Sequence, residues 1–165
     1  MFRKILSTSI AAIALMLFMG SAQAATSSAT ASATVLTPIA ISTTTNMSFG
    51  DLYADNVAIG TVVLAVDGSR TVTGSVALGP TAGAAAVFAV TGTASATYSV
   101  TVPAGDVTIT SGANTMIVNT FVHNSGGALD GTGNDSFNAG ATLNVGISQP
   151  AGAYSGSFNM VANYN

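Results

Sequence analysis

The sequence predicts an all-β protein, a two-sheet antiparallel sandwich of about eight or nine short strands. Three observations carry that expectation. Beyond residue 24 no segment has a helical apolar period, whereas period-two alternation recurs along the chain. Valine and threonine, whose branched side chains favour pleated backbone, load the alternating runs. Clusters of glycine, proline, asparagine and aspartate interrupt those runs at short, regular intervals.

The first residues are set apart. Met1-Phe2-Arg3-Lys4 is a basic head, residues 5–19 are apolar, and Gly20-Ser21-Ala22-Gln23-Ala24 is a small-residue tail. That layout predicts a secretory signal peptide over 1–24, cleaved after Ala24, and a single domain over 25–165. The apolar run falls short of the roughly 20 residues a membrane helix needs.

The expected strands follow in order. Ala29, Ala31, Ala33, Val35, Thr37, Ile39 and Ile41 alternate onto one face, and Pro38 places that strand at a sheet edge. Met47 and Phe49 sit in a short apolar segment, followed by a loop over 51–56. Residues 61–66 and 70–78 flank Asp67-Gly68-Ser69, a hairpin turn signature, with Gly74 marking a bulge. Strands are expected at 86–91, 96–102, 107–110 and 115–123, separated by turns at 92–95, 103–106 and 111–114. A glycine-rich connection, 124–134, leads to Phe137. The last stretch, 142–165, reads as strand–turn–strand. Leu143, Val145 and Ile147 alternate before the turn at 149–152; Tyr154, Phe158, Met160, Ala162 and Tyr164 line the inward face after it.

Charge removes several function classes. The whole chain carries 3 basic and 6 acidic residues, a formal charge of −3, and Arg3 and Lys4 would leave with the leader. Arg70 is then the one basic side chain among six aspartates, so the charge of 25–165 is 1 − 6 = −5. A lone arginine cannot track a phosphate backbone or an anionic membrane surface. With no cysteine, the domain has no disulfide to lean on and must be held by its core and its ladders. Most of the expected strands are shorter than the 9–11 residues of a membrane barrel.

Candidate chemistry is sparse. His123 ends a strand, and no serine stands in a nucleophile elbow beside it. Asp51 and Asp55 flank Tyr53, but the chain has neither glutamate nor tryptophan for glycoside work. Asp130, Asn134 and Asp135 on a glycine-rich loop are weak candidates for a hard cation, with a solvated loop as the default; no cofactor is expected. Arg70 is expected to pair locally with Asp67. The aromatics, one or two per strand, suit core filling.

VLTPIAI near the start of the domain, Phe49-Gly50, and the P-A-G-x-Y-x-G-x-F ending that closes on Asn163-Tyr164-Asn165 carry a resemblance. On those marks the chain resembles a bacterial family of secreted single domains, the domain of unknown function 4402 family, over nearly all of 25–165. In pattern it is also similar to spore-coat-U-type and fimbrial subunits of the chaperone–usher class, though it lacks their usual disulfide. The resemblance implies an immunoglobulin-like sandwich and a non-enzymatic, exported surface subunit, fimbria- or coat-like. Its partners would be copies of itself or other surface subunits, and a periplasmic chaperone. Assembly by β-strand addition needs an extended alternating segment to donate and a groove to receive it. Ala29, Ala31, Ala33, Val35, Ile39 and Ile41 are the expected exchange segment, pairing in cis or in trans. Tyr154, Phe158, Met160 and Tyr164 are the face that receives or seals. Burying about 500 Å² along such a strand is worth at most roughly 12 kcal/mol. The alternative is a monomeric secreted or periplasmic binding module for a carbohydrate or protein ligand.

Overall fold

The computed structural model describes residues 23–165, so the expected leader lies outside the described residues except for its last two. The chain divides into two units, Met1–Thr34 and Val35–Asn165. In the first, residues 23–34 carry no strand. The second holds the eleven strands described: β1 (Ala40–Thr45), β2 (Leu52–Ala54), β3 (Gly60–Leu64), β4 (Arg70–Gly74), β5 (Val76–Leu78), β6 (Ala86–Thr91), β7 (Tyr98–Thr101), β8 (Val107–Ser111), β9 (Asn114–His123), β10 (Asn134–Val145) and β11 (Val161–Tyr164). Every pairing is antiparallel and no described residue is helical. The all-β expectation holds, with more strands than expected and two central ones, β9 and β10, longer than expected.

β10 is the spine. Ala139 stands opposite both Ala86 of β6 and His123 of β9, and Thr142 opposite both Val63 of β3 and Asn119 of β9. A strand has two edges, so β9 occupies one edge of β10 while β6 and then β3 share the other. β1 extends the sheet beyond β6, β4 beyond β3, and β8 beyond β9. Alternate residues of β10 (Phe137, Ala139, Ala141, Leu143 and Val145) are all buried on the inner face. Between them, a Cβ on Gly140 would strike the Leu64 carbonyl, so the close approach of two backbones requires glycine there. Across from Ala141, β9 spends two residues, Thr120 and Phe121, on one. That bulge puts Thr120 at φ 50, in the left-handed region, and turns Phe121 into the core.

The inner face is covered by two ribbons rather than by one second sheet. Under β7–β11, Tyr98, Met160 and Ala162 meet Ala86, Phe88, Val90, Phe137 and Ala139. Next to β2–β5, Val62, Val76, Met116, Val118, Phe121, Ala141, Leu143 and Val145 form a second cluster. Phe158, Met47 and Val102 touch both clusters. The Phe158 ring lies 4.9 Å from Phe121 and 6.3 Å, edge-on, from Phe88, and Phe88 stacks on Phe137 at 5.4 Å.

Three expected elements differ. The terminal strand–turn–strand is not a hairpin: β11 pairs with β7, and residues 146–160 hold one isolated bridge, Thr110 to Ser155. Both edges of β10 are already taken, so the terminus had no edge of β10 to join. The alternating N-terminal segment becomes a strand only from Ala40, against β6. The loop expected at 51–56 contains β2, held by β5.

Candidate functional site

A groove of about 1150 Å³ opens over the second cluster, between residues 46–54 and residues 149–158. Its first wall is shaped by a tight turn and a clamp. Gly50 has φ +66, and a Cβ there would meet the carbonyl oxygens of Thr81 and Ala82. Arg70 of β4 donates from Nη1 to the Phe49 carbonyl at 2.8 Å and the Asp51 carbonyl at 3.0 Å, and from Nη2 to the Gly79 carbonyl at 3.4 Å. The expected Asp67 partner instead accepts the N–H and Oγ–H of Ser69, which hold its carboxyl below the usual range. The guanidinium thus ties two carbonyls of the wall to β4, alongside the Ser48–Ala84 bridge and the β2–β5 pairing.

Within that wall, β2 presents a bare edge. The Gly79 N–H donates to the Asp51 carbonyl at 2.9 Å, so the residues of β2 that face β5 with their backbone are in the register of Asp51 and Tyr53. By the antiparallel alternation, Leu52 and Ala54 turn their N–H and C=O the other way, toward the groove. Among the described residues neither has a loop or side-chain hydrogen bond, whereas their side chains pack on the second cluster. Tyr53 points outward, 63% exposed.

The opposite wall is pinned by Tyr154 and Ser155. The Tyr154 hydroxyl donates to the Pro150 carbonyl and accepts from Gln149 Nε2, both at 2.8 Å, which closes the turn. Ser155 exchanges both backbone bonds with Thr110, at 2.8 and 2.9 Å, and so lies along the free edge of β8. A Cβ on Gly156 would come within 2.8 Å of the Thr108 carbonyl. The floor is apolar: Phe88, Ile109, Met116, Val118, Leu143 and Phe158. Hydrogen-bonded neighbours run from Ser155 through β8, β9, β10 and β3 to β4; Ser75 alone separates β4 from β5, and β5 carries β2. The sheet therefore curls around the second cluster and stays open along one seam, between β2 and residues 154–158.

The expected receiving face is divided by the structure. Tyr154 and Phe158 line the groove, while Met160 is buried beneath β7–β11. Tyr164 has a different task. Its hydroxyl accepts the Thr93 N–H at 2.6 Å and donates to the Thr37 carbonyl at 2.7 Å, and the Thr37 N–H donates to Thr93 Oγ1 at 2.9 Å. The expected exchange segment is divided at that clamp. Ile39 and Ile41 pack against the first cluster, whereas Ala29, Ala31, Ala33 and Val35 lie in no strand, with Val35 95% exposed.

The cation candidates do not converge. Asp130 Oδ1 accepts the Asn134 N–H at 2.9 Å and the Thr132 Oγ–H and N–H at 2.7 and 2.8 Å; these donors depress its pKa, the Asn134 bond most. Those donors occupy Oδ1 of the carboxylate. Asp135 instead accepts the Tyr98 hydroxyl at 2.6 Å, and burial first, then Asp135, raises the phenol's pKa. His123 Nδ1 accepts the Ser125 N–H, and its ring meets the Phe137 ring edge-on. Sequence reasoning missed Arg70's clamp and the bare edge at Leu52 and Ala54. Leu52-Tyr53-Ala54 is too short for periodicity to reveal, and Arg70 reaches carbonyls 19 and 21 residues upstream.

No curated protein and no solved structure matches the chain. The family described as domain of unknown function (DUF4402) matches residues 39–164, which takes in every strand but the first residues' approach to β1 and includes both walls of the groove. The match spans well over half of the sequence, and the chain belongs to the DUF4402 family.

Proposed function

We propose that this protein is a non-enzymatic, exported structural subunit of the bacterial surface, fimbria- or coat-like, which assembles by adding strands between copies. The observation that carries the reading is the open seam: a strand edge with no partner among the described residues, beside an apolar floor. Apolar floor and unpaired N–H and C=O groups together are what an added strand satisfies. The leader-like residues 1–24 supply the route out of the cell, and the low charge of the domain lets copies pack closely. In this reading the curled sheet and its two covering ribbons are a variant of the immunoglobulin-like sandwich. Detergent-resistant, heat-labile ladders from producing cells are the expected result, with antibody imaging showing filament or coat. A sharp monomer on sizing of native material would sink the reading.

A second reading rests on the polar rim of the same groove, where Asn46, Ser48, Gln149 and Ser155 stand beside Tyr53 and Tyr154. Such a rim suits a secreted or periplasmic binding module. A glycan panel tests it, and no binding to any member would remove its support.

A further inference from the structure

We infer that His123 is an acid-sensitive pin: its neutral ring holds the connection between β9 and β10 against β7, and a proton added at Nδ1 releases that connection. The device stands apart from the groove and from the assembly reading.

His123 ends β9 opposite Ala139 of β10, with its ring edge-on to Phe137 of the first cluster. The residues after it run back along the edge of β7 that β11 leaves free. There the Tyr98 N–H donates to the Gly127 carbonyl and the Leu129 N–H to the Ala96 carbonyl, each at 2.9 Å, and Thr97 bridges Ala128. This lining brings Leu129 into the first cluster, where it is buried.

Ser125 fixes the near end of the stretch. Its N–H donates to His123 Nδ1 at 3.2 Å, and its Oγ accepts the Gly127 N–H at 3.2 Å. The serine hydroxyl proton has one direction open to it. Tyr98 gives its only proton to Asp135 Oδ2 at 2.6 Å, so serine is the donor in the 2.8 Å contact between Ser125 Oγ and the phenol. A directed chain of hydrogen bonds therefore runs from Gly127 through Ser125 and Tyr98 to Asp135, and His123 sets the orientation of its central member.

Acid acts on that orientation. A neutral imidazole accepts at one nitrogen and donates at the other, whereas an imidazolium donates at both. With Nδ1 accepting, the neutral ring carries its proton on Nε2, and an added proton goes to Nδ1, facing the Ser125 N–H. Two donors then oppose each other. Ser125 has to turn away, and its bonds to Gly127 and Tyr98 break with it. Histidine side chains change charge between about pH 5 and 8. The titratable and charged groups on the surrounding elements are Tyr98 of β7, Asp135 of β10, Asp130 in the connection and Asp106 before β8. Asp135 accepts from Tyr98 and the Ser136 N–H, Asp130 from Thr132 and Asn134, and Asp106 from Asn119; none of these contacts includes His123.

Amide hydrogen exchange, read by NMR as protection relative to unstructured chain at the same pH, tests the pin. Between about pH 8 and pH 5, protection at Ser125, Gly127 and Leu129 is expected to fall roughly tenfold or more, while Val62 and Leu143 in the core hold theirs. His123→Asn puts an amide oxygen near the place of Nδ1 and cannot gain the charge, so its protection should stay level over that range. No fall in the parent, an equal fall in His123→Asn, or a fall that extends to Val62 and Leu143 would overturn the inference. Should His123→Asn fail to fold, nitrogen-15 spectra of the parent ring decide the matter. A neutral ring protonated on Nε2, titrating together with the Ser125 amide shift, is the expected result, and one protonated on Nδ1 would overturn it.

Discussion

Replacing Arg70 tests whether one side chain holds the groove's wall. The substitution Arg70→Met keeps most of the stem that packs beside Gly83 and Leu64 and removes the guanidinium. Three carbonyls then lose their donor: Phe49 at 2.8 Å, Asp51 at 3.0 Å and Gly79 at 3.4 Å. Hydrogen bonds to a charged group are worth about 1.5–3 kcal/mol each when buried. The Asp51 bond is exposed and the Gly79 bond is long, so both count for a fraction of that and the part-buried Phe49 bond dominates. The expected loss is about 2–3 kcal/mol, which for a domain of this size lowers Tm by about 4–12 °C. Arg70→Lys, a point charge that cannot span three acceptors, should recover less than half of the loss. Urea titration with an unchanged m-value reads the effect. A loss below about 0.5 kcal/mol for Arg70→Met would refute the clamp.

The remaining expectations follow from single contacts. Gly140→Ala drives a Cβ into the Leu64 carbonyl in the middle of the spine and should cost about 3 kcal/mol, the upper end of overpacking, on chemical denaturation. Tyr164→Phe leaves the Thr93 N–H and a Thr37 carbonyl bond unmade and should cost about 1–2 kcal/mol; faster amide exchange at Thr93 distinguishes it from a general loosening. Acid should weaken the fold through Asp130, whose folded pKa lies below its unfolded 3.8. Its contribution is present above pH 3.8 and is lost as pH falls through the depressed folded value. A Tm profile between pH 5 and pH 2, flatter in Asp130→Asn than in the parent, checks the sign.

Local signals were legible in the sequence, and pairings between distant strands were not. The Asp67-Gly68-Ser69 turn reveals β3 and β4, and the strand at 86–91 coincides with β6, because turn chemistry and alternation act within a few residues. β10 was hidden by its outer face. Asn138, Gly140 and Asn144 look like loop residues, yet the two asparagines donate to the carbonyls of Val66 and Ile117, and the glycine permits backbone contact. The N-terminal alternation was equally misleading in the other direction. Ala29 to Val35 has strand periodicity, but periodicity makes a strand only where an edge is available, and that edge begins at β6 opposite Ala40. For the groove, the sequence revealed Tyr154 and Phe158 through their spacing. It concealed the bare edge of β2, which exists only because β5 covers one side of three residues and nothing described covers the other.

Amide hydrogen exchange at Leu52 and Ala54 tests the central claim most directly, because those two N–H groups face the seam. In the isolated chain they should exchange quickly, while the Tyr53 N–H, turned toward β5, is protected. In assembled material the account predicts that both slow by at least a hundredfold. Assembled material in which Leu52 and Ala54 exchange as fast as in the isolated chain would contradict it.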